Sequence, residues 1–332
     1  MRLAKRSRPA WHWLVSLIAV VVLALAAWIN LPQIGLLFDS SANRIVSLPA
    51  APAFTRGQRI LILSPHPDDE TLCCGGLIAG AALAGAQVDV VWATAGDGFE
   101  FAASLSNRTL DPGDSQMRAL GQTRAQEALR AAAALGIPAS RTVMLGYPDG
   151  GLSALFTTHY TEAYTAPTTG AFAVYVRGAQ TPGAPFTGQT LEADLGRVLD
   201  RVKPDLVLAP APQDFHPDHR TLSYIAQRLM AARGQADALR FWVVHGGLEW
   251  PVPKGLHPEL PLTLPPLAAS LPWQRVDLTA AGLDRKRQAI AAYVTQTRIM
   301  NRFMQAFVRR NELLSAEALP EPGVPAPDVQ NP

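Results

Sequence analysis

Two short stretches of the chain gather the residue types that hold metals and move protons. His66-Pro67-Asp68-Asp69-Glu70 offers one imidazole and three carboxylates, and Asp214-Phe215-His216-Pro217-Asp218-His219 offers two of each. Together they present three imidazoles and several carboxylates, the nitrogen and oxygen donors that suit Zn²⁺ or another first-row divalent ion. The only cysteines, Cys73 and Cys74, are adjacent, so they can build neither a disulfide framework nor a four-cysteine zinc site. Each cluster alone has a plainer explanation: the first could simply cap a helix, with a proline and acids in its first turn, and the second could be a solvated loop. Two independent caps do not explain a shared His-Pro-Asp core at the same topological place.

That place is set by two apolar runs. RILILS over residues 59–64 and DLVLA over 205–209 each read as a buried strand, and each runs almost directly into one of the clusters. In an open parallel sheet the carboxyl ends of strands border the ligand crevice, so segments about 150 residues apart can converge there. Further strands are expected over 88–93, 142–145 and 241–245. Helices are expected over 71–84, 116–135, 191–202 and 221–233, the second of them stopped by Gly136 and Pro138. The alternation predicts a three-layer α/β, Rossmann-like fold around a mainly parallel sheet, within a catalytic domain spanning 58–314. Residues 152–189 break the rhythm with Thr, Gly, Ala and Pro around a strand-like island at 172–176. They read as an insertion that acts as a lid or a substrate-selecting wall. One long helical stretch is expected over 280–314 and a disordered tail over 315–332.

Apolar residues make up 48% of the chain and charged residues 17%. Residues 11–29 are apolar except for His12 and Ser16, and Arg2, Lys5, Arg6 and Arg8 precede them. This predicts a basic cytoplasmic stub (1–10), a single transmembrane anchor (11–30) and a tether (31–57). The lipid bilayer would then be a partner, and the catalytic domain would lie outside the inner or plasma membrane, in the periplasm of a Gram-negative cell. Cleavage of a signal peptide near Ala24-Leu25-Ala26 is the alternative, giving a secreted chain. Beyond the basic stub the net charge is slightly negative, which excludes a nucleic-acid partner as the expectation.

The two clusters resemble the hallmark motifs of the GlcNAc-phosphatidylinositol de-N-acetylase family, the PIG-L or LmbE-like zinc deacetylases, and match both without departure. Weaker similarities lie at Arg124-x-x-Glu127, at Leu145-Gly146-Tyr147-Pro148-Asp149-Gly150 and at 286–296. The resemblance implies zinc held by His66, Asp69 and His219 with a position open to water, and Asp68 as the base. It implies His216, oriented by Asp218, as oxyanion stabiliser or acid, and Arg124 and Asp149 as substrate-pocket residues. The substrate implied is an N-acetylated amino sugar, in a lipid-linked or envelope glycan; other amides, O-acetyl esters and non-catalytic glycan binding are the alternatives. Some relatives carry a tyrosine where this chain has Asp214, which is read here as starting a turn, with acceptance of a sugar hydroxyl as the alternative.

Overall fold

The computed structural model describes residues 11–35, 41–247 and 250–319. The chain divides after Ser40 into two units, each considered by itself. The first contains helix α1 (Trp11–Gly35). Among the described residues no helix is long and apolar enough to cross a membrane. This corrects the expected anchor over 11–30, and with it the bilayer as a partner and the membrane or periplasmic location. Residues 1–10 and 320–332, which hold the expected basic stub and most of the expected tail, lie outside the described residues.

The second unit is built on a seven-stranded sheet. In chain order its strands are β1 (Arg59–Ser64), β2 (Gln87–Thr94), β3 (Thr142–Tyr147), β4 (Leu206–Pro210), β5 (Leu239–Trp242), β6 (Trp273–Asp277) and β7 (Asn311–Ser315). Their order across the sheet is β3-β2-β1-β4-β5-β7-β6. The pairings from β3 through to β5 are parallel, and β7 is antiparallel to both neighbours. This is the expected α/β architecture with a mostly parallel sheet.

Helix α2 (Ser41–Ser47) leads into the sheet. The crossovers that follow use α3 (Asp69–Leu83), then α4 (Glu100–Asn107) with α5 (Asp114–Leu135), then α6 (Leu152–Phe156) with α7 (Gly188–Val202), then α8 (Pro217–Ala232). From β1 the chain steps through β2 to β3 in one direction; from β4 it steps to β5 in the other. Right-handed crossovers therefore put α3 and α8 on opposite faces. The reversal falls between β1 and β4, so the crevice opens at the ends of those two strands. Ile60, Leu61 and Ile62 of β1 and Val207 and Leu208 of β4 are fully buried, as expected of central strands covered on both faces.

Three stretches differ from expectation. Residues 41–57 are docked rather than a free tether: Ile45 is buried in the main core, and Arg275 donates to the carbonyls of Ile45 (3.1 Å) and Val46 (2.7 Å). The expected helix over 280–314 is α9 (Ala280–Ala292), α10 (Val294–Gln305) and then strand β7. The island at 172–176 forms only an isolated bridge, Ala173 to Pro185.

Strand β7 carries a further tie. Glu312 accepts the backbone N–H groups of Gly76 (2.9 Å) and Leu77 (2.7 Å) inside α3, while Lys286 Nζ donates to Leu72 O (2.8 Å) and to Glu312 (2.6 Å). Both side chains are buried, so each charge is compensated by the other and by helix backbone. Beside this insertion Cys73 and Cys74 are paired with each other in α3.

Candidate metal centre and active site

The first cluster occupies the turn from β1 into α3. Asp68 has φ 125°, a region that non-glycine residues rarely enter, at the residue before α3 begins. Glu70 is what holds this turn. Its buried carboxylate accepts from Trp92 Nε1 (2.8 Å), from Thr71 Oγ1 (2.5 Å), from the Asp68 N–H (3.3 Å) and from the Tyr293 hydroxyl. Arg124, reaching in from α5, donates to Gly96 O (2.7 Å) and Pro67 O (2.8 Å), and its Nη2 lies 3.4 Å from Asp68 Oδ2. It crosses so close to the chain that a Cβ on Gly96 would come within 2.2 Å of the guanidinium, and Gly96 has φ +68°.

The second cluster occupies the turn from β4 into α8 and meets the first. His66 Nδ1 and His219 Nε2 each lie 3.1 Å from the same oxygen, Asp69 Oδ2. The far nitrogens of both rings face other carboxylates. His66 Nε2 is 3.1 Å from Asp218 Oδ2 and 3.1 Å from Asp149 Oδ1, and His219 Nδ1 is 3.1 Å from Asp214 Oδ2. Metal-binding histidines are commonly backed by a carboxylate on the nitrogen away from the ion. Both nitrogens of His219 are buried with no well-aligned hydrogen bond, and a cation beside Nε2 would satisfy one of them. The donor atoms of His66, His216 and His219 lie within 4.8 Å of one another, as do those of Asp69, His219 and His245. The donor set therefore fits a divalent metal.

The electrostatics follow from this crowding. Burial alone would raise the Asp69 carboxyl, but the charges of His219 and His66 hold it well below the usual range. Burial opposes charge on His219, yet Asp214 and Asp69 raise it to about 9. Asp68 is pushed up to about 8 by burial, which Arg124 only partly offsets and Asp69 and Glu70 reinforce. His216 is lowered to about 3 by burial and by the neighbouring imidazoles of His66, His219 and His245. It is therefore neutral near pH 7. Its Nδ1 accepts the Asp218 N–H (3.2 Å), which leaves the ring proton on Nε2.

All eight residues singled out from sequence converge here, and seven of them line or border one cavity: His66, Asp68, Asp69, Arg124, Asp149 and His216 form its polar wall, with Asp218 directly behind His66. Leu72, Phe99, Met300 and Phe303 form its apolar side. The hydrogen bonds of two of them add detail. The Asp218 carboxylate serves His66, not His216, and also accepts the N–H groups of Gly150 (2.7 Å) and Leu152 (3.1 Å). Arg124 spends two donors on backbone carbonyls at the Asp68 turn instead of presenting a free guanidinium. Two further residues belong to the same cluster. Asp214 is buried and accepts from the backbone of His216 (2.9 Å), Val244 (2.9 Å) and His245 (3.0 Å), so it ties the ends of β4 and β5 together rather than only starting a turn. His245 stacks on Phe303 and lies against His219. A carboxylate two residues before His216 was visible as an oddity, but its partners were not.

The sequence profile of the PIG-L family, GlcNAc-PI de-N-acetylase, matches residues 61–230. The 1D-myo-inositol 2-acetamido-2-deoxy-alpha-D-glucopyranoside deacetylase of Nakamurella multipartita is 32% identical over 270 residues, 73% of this chain and 80% of that protein. The protein of the same name from Rhodococcus jostii is 27% identical over 265 residues, 73% of this chain and 82% of that protein. Among solved structures, the pseudoaglycone deacetylase Dbv21 shares the fold, with a TM-score of 0.50 and 20% identity over 78% of this chain and 96% of its own. With both motifs meeting at the strand ends where they were expected, the chain belongs to the GlcNAc-PI de-N-acetylase family.

Proposed function

We propose that this protein is a metal-dependent N-deacetylase that hydrolyses the acetamide of an N-acetylglucosamine-type sugar, with Zn²⁺ as its ion. The observation that carries this reading is the convergence of His66 Nδ1 and the buried His219 Nε2 on Asp69 Oδ2, at a cavity that Asp68 and His216 also line. The relatives' names supply the sugar class. His66, Asp69 and His219 would hold the ion. When bound, such an ion acidifies water and polarises a carbonyl oxygen.

The chain's own groups do the rest. Asp68 takes the proton from the attacking water; burial favours its protonated form, which suits a base that must keep the proton until the amine departs. Arg124 holds that carboxylate and its turn in place. His216, neutral with its proton on Nε2, donates toward the amide oxygen as negative charge develops there. Between the two roles open to His216, the bond to its Nδ1 therefore favours oxyanion stabilisation. Asp149, on the cavity wall, accepts a sugar hydroxyl. Leu72, Phe99, Met300 and Phe303 give an apolar surface for the face of the sugar ring or its aglycone.

The test is acetate release from N-acetylglucosamine glycosides and from matched O-acetyl sugars by the metal-loaded protein. Release from the amide, lost on chelation and restored by Zn²⁺, is the expected result. Release from the ester alone would reject the amide reading.

A further inference from the structure

The segment between α6 and α7 reaches the site through Tyr175. Tyr175 donates its hydroxyl to Asp97 Oδ2 at 2.5 Å. The other oxygen of Asp97 accepts the backbone N–H of Asp149 at 3.1 Å, and Asp149 Oδ2 in turn accepts the N–H of Gly98 at 3.0 Å. Asp97 is 1% exposed and sits against the Asp149 carboxylate, an arrangement of like charges that needs donors to persist. Among the described residues Tyr175 is the side-chain donor to Asp97. The pair meets over Gly121 of α5, where an added Cβ would lie 2.9 Å from both the Tyr175 hydroxyl and Asp97 Cβ. Tyr175 is also fixed from both sides, since Arg118 of α5 donates to Thr169 O and Gln122 of α5 accepts from the Arg177 N–H (3.0 Å).

We propose that Tyr175 and Asp97 are positioning residues for Asp149, so that residues 157–187 form a fixed wall setting the sugar-binding side of the cavity rather than a lid. Swinging the segment away would strip a buried carboxylate of its hydroxyl donor beside a second carboxylate, a cost a cycling lid would meet at every turnover. The inference rests on the deacetylase reading only in the role given to Asp149.

Its test uses the full chain with two readouts. In Tyr175→Phe, amide hydrogen exchange in peptides containing Gly98 and Asp149 should quicken by about tenfold, as the bond to Asp97 loosens. The KM for an N-acetylglucosamine glycoside should rise by about tenfold with kcat within about twofold and Zn²⁺ affinity unchanged. Gly121→Ala, which wedges the pair apart, should reproduce both effects. Unchanged exchange at Gly98 and Asp149 would overturn the proposal whatever the activity, and so would a fall in kcat at constant KM. A wild-type protein that releases no acetate from any amino sugar defeats the deacetylase reading instead, and exchange still decides the role of Tyr175.

Discussion

Asp218 and His66 lie 152 positions apart and share a hydrogen bond of 3.1 Å between Oδ2 and Nε2. The carboxylate thereby backs a residue of the other cluster and leaves His216, its neighbour in sequence, to be oriented by backbone. Two variants should separate as a result. Asp218→Asn is expected to weaken Zn²⁺ binding by about 10- to 100-fold, read by competition with a chromogenic chelator. His216→Gln should keep metal affinity and lose turnover by roughly 10²- to 10³-fold. Equal metal affinity in Asp218→Asn and wild type would return Asp218 to His216.

Asp68 combines an uncommon backbone angle with a reacting carboxylate, and asparagine is among the residues that best tolerate positive φ. Asp68→Asn is therefore expected to fold and bind metal normally while kcat falls by roughly 10²- to 10⁴-fold. Elemental analysis beside acetate release checks both halves.

Stripping the ion should cost stability as well as activity. At a hundredfold excess of free Zn²⁺ over its Kd, binding contributes about 2.7 kcal/mol to the folded state. Chelator-treated protein is expected to unfold at lower denaturant than the loaded form, with the gap closing in His219→Ala. A gap that survives that substitution would place the ion elsewhere.

Asp97 gives a pH signature. Burial, reinforced by the Asp149 charge, raises its carboxyl to about 6, above its value in the unfolded chain. The native state then binds more protons than the unfolded state between about pH 4 and pH 6, so this group's contribution favours folding more as pH falls through 6. The difference in unfolding free energy between wild type and Asp97→Asn should shift toward wild type by up to about 3 kcal/mol from pH 8 to pH 4. A difference that stays flat with pH would show that Asp97 titrates normally.

Much of this was legible in the chain because the central strands and the site share one signal. β1 and β4 are continuous apolar runs that stop at polar clusters, and a parallel sheet leaves little choice about where those clusters go. The edge of the sheet gave no such signal. WQRVD in β6 is only partly buried and NELLS in β7 mixes polar and apolar residues, so β7 merged with the helices before it. Glu312 and Asn311 are buried there because they bond to backbone, which no periodicity reports. The prolines near residues 49–53 suggested a tether, whereas Arg275, more than 220 residues later, holds that segment down. For the same reason the motif residues announced themselves, while the partners of Asp218, Asp214 and Glu70 did not.

Glu312 joins nearly the end of the described chain to the helix that starts with Asp69. During synthesis the first motif leaves the ribosome some 240 residues before the side chain that completes its helix. Nascent chains halted before residue 311 should consequently remain open to protease within 69–83, and release of the final strand should close them.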